Sequence, residues 1–139
     1  GTVVDYGAVE TYTAELAERF RVEAIAIDRW NSTGTQTRLQ EIGLPVVAFG
    51  QGFASMSSAC KEVERLILNR QLVHDGNPVM RWCLSNVAIA QDPAGNIKID
   101  RQKAKEKVDG AVALAMAIGV AAAAPAGSIY EERPSFLVV

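Results

Sequence analysis

The stretch "EAIAIDRWNSTGTQTRLQEIGLPVVAFG", Glu23 to Gly50, decides the fold class. Its opening, "EAIAID", is a short apolar run that ends in a charge, the pattern of a buried strand whose C-terminal end reaches a surface. "NSTG" then supplies turn residues and an N-cap for a helix over about Thr35 to Ile42. Gly43 is the natural C-cap, because glycine enters the left-handed region at no steric cost. "PVVAFG", Pro45 to Gly50, repeats the buried-strand pattern. Two strands joined by a helix make a βαβ unit with a right-handed crossover, so the chain reads as α/β.

Upstream, Val9, Tyr12, Leu16 and Phe20 recur at spacings of three or four between Gly7 and Phe20, which predicts one face of an amphipathic helix. Downstream, "GQGFAS" leads into a helix over about Met56 to Asn69, with Cys60, Val63, Ile67 and Leu66 facing inward. "QLVHDGNP" reads as an extended piece and a turn, and Pro78 suits the first turn of a short helix through Trp82. "NVAIAQDPAGNIKIDRQ" reads as a hairpin: strand Val87 to Gln91, turn Asp92 to Asn96, strand Ile97 to Asp100.

The last helix is expected from about Lys103 to Ala123, stopped by Pro125. From Gly110 to Ala124 it is apolar all round, as befits a core helix. That run of about fifteen residues is short of the roughly twenty that a membrane span needs. The tail, residues 125–139, is polar and then apolar ("SFLVV").

The 139 residues are 49% hydrophobic, enough for the core of one domain, taken as residues 1–124 with a tail of 125–139. A net charge of -2 gives no overall pull toward nucleic acid, so such a role must rest on local charge. Five of the fourteen basic residues do cluster: Lys98, Arg101, Lys103, Lys105 and Lys107. Cys60 and Cys83 lack metal-ligand spacing and read as small core residues in a reducing compartment. No basic region followed by an apolar core opens the chain, so no signal peptide is expected.

Two acids hold the positions that carry chemistry. Asp28 ends a buried strand, and in open α/β sheets ligands gather outside the carboxyl ends of the strands. Asp109 stands at the mouth of the core helix. If that helix packs on the sheet, the two carboxylates converge on a hard cation. Mg²⁺ typically takes one or two protein carboxylates and completes its shell with water and phosphate oxygens. Paired ions about 4 Å apart can clamp both the attacking and the leaving oxygen of a phosphodiester. The commoner role of each acid is plainer: a loop cap for Asp28, a helix-dipole partner for Asp109.

The blocks "IAIDRWNSTGTQTRLQEIG", "VVAFGQGFASMSSACKEVERLI", "HDGNPVMRWCLSNV" and "KAKEKVDGAVALAMAIG", in that order, resemble the C-terminal nuclease domain of tailed-phage terminase large subunits, the DNA-packaging motor proteins. The resemblance runs from about Val3 to Val120. It implies a ribonuclease H-like fold in which three acidic positions hold Mg²⁺ or Mn²⁺, two ions in the complete domain, to cut concatemeric double-stranded DNA. The second acidic position matches Asp28 in "AIDRW" and the third Asp109 in "KVDGAVAL". The first lies on an opening strand ahead of Gly1, so the chain reads as N-terminally truncated and is expected to be weak or inactive alone. There is no GxxxxGK[ST] phosphate loop, so the ATPase domain of the motor is absent from these residues. The portal protein and the small terminase subunit are the implied partners, the cytoplasm of the bacterial host the implied location, and no membrane is involved.

Around the two acids, the basic cluster is expected either to be a solvated face or to hold the DNA backbone without reading its sequence. Glu106, one helical turn before Asp109 if the helix starts at Lys103, is a further ligand or a partner for the lysines. His74, the only histidine, lies in "HDGNP" and lines the site or makes a structural hydrogen bond. Trp30, beside Asp28, and Trp82 read as packing residues, with Trp30 also a candidate to line the site. With the opening strand missing, Ala24 to Ile27 is expected to offer an open sheet edge that pairs with a second copy or with "SFLVV". The competing reading is a catalytically silent interaction module, or a decayed prophage remnant, within a packaging motor.

Overall fold

The structure, a computed structural model, describes residues 3–30 and 33–124. These form a mixed α/β chain, in the order α1 (Tyr6–Arg19), β1 (Ile25–Asp28), α2 (Thr33–Glu41), β2 (Val46–Phe49), α3 (Phe53–Leu68), α4 (Pro78–Ser85), β3 (Ile89–Gln91), β4 (Ile97–Ile99) and α5 (Asp109–Ala123). They fall into two compact units, the first running to Phe49 and the second beginning at Gly50.

The first unit holds the βαβ element. β1 and β2 pair in parallel, Ile25 opposite Val46 through Asp28 opposite Phe49. The connecting α2 ends as the sequence requires: Gly43 takes φ +84°, its N–H donates to the Gln40 carbonyl at 2.9 Å, and the Leu44 N–H donates to that of Leu39 at 3.0 Å. Leu39 itself is fully buried. At the other end of the unit, Asp5 caps α1 by accepting from the Ala8 N–H at 3.1 Å. An Arg38–Glu10 ion pair at 2.7 Å ties α2 to α1. The periodic face of α1 is present, but Val9, Tyr12 and Phe20 are all exposed. Periodicity states which residues share a face and not whether anything covers it.

In the second unit α5 is the core. Ala111, Val112, Leu114, Ala115, Met116 and Ile118 are buried, and the helix packs against α3 and α4. Small alanines allow that close approach. α3 starts one turn earlier than expected and buries Met56, Ser57, Ala59 and Cys60, whereas Ile67, expected inside, is 46% exposed. Ser57 is buried usefully: its hydroxyl accepts the Ile97 N–H at 3.2 Å, satisfying a donor on the hairpin.

β3 and β4 form the expected antiparallel hairpin, Ile89 opposite Ile99. Asp92 closes its turn, accepting from the Asn96 backbone and side-chain amides, each at 2.8 Å. The Asn96 side-chain bond holds the Asp92 carboxyl below the ordinary carboxylate range. Cys60 and Cys83 are free and buried, and burial pushes the Cys60 thiol up, which makes it inert.

The largest departure from expectation is the start of α5, at Asp109 and not near Lys103. Asp100 explains it. Its carboxylate accepts from the N–H groups of Gln102 and Lys103 at 3.0 and 3.2 Å, and its carbonyl accepts from Ala104 at 3.0 Å. This local turn satisfies the backbone that a longer helix would have used. Glu106 therefore lies on a connecting loop, not a helical turn below Asp109. No helix among the described residues is long and apolar enough to cross a membrane. The "SFLVV" tail lies outside the described residues.

Candidate active site

Asp28 is the last residue of β1 and is half-buried. Its Oδ1 accepts the Trp30 N–H at 3.1 Å, and the following Arg29 N–H donates to the Phe49 carbonyl at 3.0 Å. The chain thus turns sharply just past the strand and holds the carboxylate at the carboxyl end of the parallel pair. Trp30, read as a packing residue, is 73% exposed.

Asp109 is the first residue of α5, and its side chain is 72% exposed. The preceding Val108 offers no side-chain cap, and Asp109 is the acidic residue of that first turn, where a negative charge interacts favourably with the helix N-terminus. Arg101 Nη2 is 3.9 Å from Asp109 Oδ1. An exposed contact at that range contributes little to stability, so the carboxylate remains available to a ligand.

Asp109 opens onto a cavity of about 450 Å³ in the second unit. Leu72, Met80, Trp82, Leu84 and Leu114 supply much of its apolar wall, and His74, Asp75, Asn77, Lys107 and Asp109 supply polar groups. Trp82, expected to be packed inside, is 44% exposed and forms part of this wall. Asn86 is the residue that sequence reasoning passed over. Buried at the end of α4, it donates from Nδ2 to the Lys107 carbonyl at 3.4 Å and so anchors the chain two residues before Asp109. A lone amide in the apolar string "CLSNVAI" was the available signal.

The basic residues divide. Lys98 lies on β4 with its ammonium 4.9 Å from the centre of the Phe53 ring, a cation–π contact. Lys98 and Arg101 share a second concavity, of about 410 Å³, with Gln51, Asp100 and Gln102. Lys103, Lys105 and Lys107 are exposed on the loop that leads to Asp109, as is Glu106. The second unit therefore brings together Asp109, Lys107 and His74, with Arg101 alongside, and leaves Lys103, Lys105 and Glu106 in solvent.

Residues 1–125 match the family described as the endonuclease domain of the terminase large subunit. The chain belongs to this family. The large terminase subunit of Enterobacteria phage HK97 is 39% identical over 123 residues, which cover 87% of this chain and 24% of that protein. Protein YmfN of Escherichia coli strain K12 is 35% identical over 121 residues, covering 86% of this chain and 27% of the relative. The crystal structure of the HK97 large terminase matches with a TM-score of 0.80 at 38% identity, over 86% of this chain and 26% of that one. The terminase domain described here thus spans about a quarter of the length of these relatives. The resemblance read from the four sequence blocks is confirmed.

The donors in this terminase domain suit a hard cation. Asp28 and Asp109 offer carboxylate oxygens, the donor type that a hard cation takes, each at the end of a regular element. Among the described residues no three His, Cys, Asp or Glu side chains come together. That is compatible with Mg²⁺ or Mn²⁺, which bind through one or two carboxylates with water and substrate phosphate completing the shell, rather than in an all-protein cage.

Proposed function

We propose that the chain is the metal-dependent endodeoxyribonuclease domain of a terminase large subunit, cutting concatemeric phage DNA during genome packaging on a ribonuclease H-like fold. The observation that carries this reading is Asp109: an exposed carboxylate on the first residue of a buried helix, on the rim of a cavity shared with Lys107, in a chain of this family.

Asp28 and Asp109 hold the divalent ions. When bound, Mg²⁺ or Mn²⁺ supplies Lewis-acid chemistry, activating water at neutral pH and neutralising charge on the phosphodiester. The protein's own part is placement. The turn after β1 fixes the Asp28 carboxylate, and the packing of α5 on α3 and α4 fixes Asp109. Lys98, Arg101, Lys103, Lys105 and Lys107 attract the DNA backbone, which sets register without selecting sequence. Double-stranded DNA is the substrate, with the portal protein and small terminase subunit as partners in the host cytoplasm. Among the described residues β1 pairs with β2 alone. In a ribonuclease H-like sheet its other edge takes a further strand, from a second copy or from "SFLVV".

The test is plasmid cleavage by the full-length protein that carries this chain. Cutting in Mg²⁺ or Mn²⁺ that stops on chelation is the expected result. Undiminished cutting in chelator, or none in either metal, would contradict the proposal.

A further inference from the structure

His74 belongs to the loop "HDGNP", in which nearly every side chain fixes the backbone. Its Nδ1 accepts the Gly76 N–H at 3.0 Å, Asp75 Oδ1 accepts the Asn77 N–H at 3.0 Å, and Asn77 Oδ1 accepts from Val79 and Met80 at 2.9 and 3.2 Å. Gly76 sits at φ +79°, where a side chain would be strained. A ring nitrogen that accepts a hydrogen bond carries no proton, so the neutral imidazole has its proton on Nε2. The same bond holds the ring in place.

The loop bond accounts for one nitrogen of His74 and leaves the other as a fixed donor on a side chain that lines the Asp109 cavity. Lys107 adds a cation to that cavity and Asp75 a second carboxylate beside Asp109, while Leu72, Met80, Leu84 and Leu114 supply an apolar wall. Beside two carboxylates, a fixed N–H donor and an ammonium do not hold a free anion by charge alone, but with Asp109 assigned to a divalent cation they suit a phosphate oxygen. We propose that His74 Nε2–H donates to a phosphate oxygen of the DNA strand that occupies the Asp109 cavity, orienting it against Lys107. This rests on the nuclease reading and adds a substrate-binding residue to it.

Two near-isosteric changes separate the loop role from the substrate role. His74→Asn places a carbonyl oxygen near the position of Nδ1, keeping the Gly76 bond, and has no donor at Nε2. His74→Gln places an amide nitrogen near Nε2 and has no acceptor at Nδ1. In the full-length protein, single-turnover cleavage of a duplex across DNA concentrations is measured, together with thermal melting and normalised to folded protein. His74→Asn is expected to melt like wild type yet lose about tenfold or more in cleavage efficiency, in line with a hydrogen bond to a charged group, and His74→Gln to recover part of that loss.

Wild-type efficiency per folded molecule in His74→Asn would overturn the inference and confine His74 to the loop. Equal loss in both variants, tracking melting, would overturn it too. The nuclease reading fails separately: there Asp28→Asn cuts like wild type, whereas failure of the His74 inference alone leaves Asp28→Asn dead and His74→Asn active. An inert wild-type protein would overturn both.

Discussion

Asp109→Asn in the full-length protein is expected to lower metal-dependent DNA cleavage by more than about 100-fold, because groups that merely support a ligand already account for 10–100-fold. Asp28→Asn is expected to do the same. Asparagine keeps the shape of each side chain and removes the charge that a hard cation needs. Neither change should unfold the protein. The Asp28 bond to the Trp30 N–H survives through the amide oxygen. At position 109 the loss is the interaction of one exposed carboxylate with a helix N-terminus, about 0.3–1 kcal/mol. Cleavage assays and circular dichroism on the purified variants are the check, and near-normal cutting by either one would place the site elsewhere.

Gly110→Val is the second change with a large expected effect, through packing. A β-carbon at Gly110 would stand 3.3 Å from Cys83 Sγ, 3.4 Å from Cys83 Cβ and 3.5 Å from Met80 Sδ. Cys83 is buried on α4 and cannot swing out to solvent. The two further methyl groups of valine force α5 away from α4. Overpacking of this kind costs about 1–3 kcal/mol. Removing a helix glycine recovers less than about 1 kcal/mol, so the net effect is destabilising. It should also shift Asp109, the neighbouring residue, and reduce cleavage beyond the loss of folded protein. A lower urea midpoint with reduced activity is expected, and an unchanged midpoint would show that α5 does not pack on α4 through this contact.

The βαβ element was legible because two apolar runs, a turn string and Gly43 each carry a local rule, and the rules agree. The core role of α5 was equally plain, since a helix with no polar face has nowhere else to go. Its start was not. Lys103 to Lys107 are acceptable helix residues, and the turn that displaces them depends on the Asp100 side chain choosing the backbone of Gln102 and Lys103. The face of α1 shows the reverse limit, since its spacing was right and its residues are exposed.

For the candidate site, the places of the two acids were legible, since Asp28 does end β1 and Asp109 does open α5. The cavity beside Asp109 was not, because Trp82 on a short helix read as a packing residue until the loop and helix around it are folded. Nor does a lone histidine in a sequence disclose which ring nitrogen its own loop will occupy.

Central to all of this is one claim, that Asp28 and Asp109 are each a ligand of a divalent ion. A crystal structure of the full-length protein soaked in Mn²⁺, with the ions located by anomalous scattering, tests it most directly. The predicted result is Mn²⁺ within about 2.5 Å of an oxygen of each carboxylate. Ordered carboxylates with no ion within that distance of either one would contradict it.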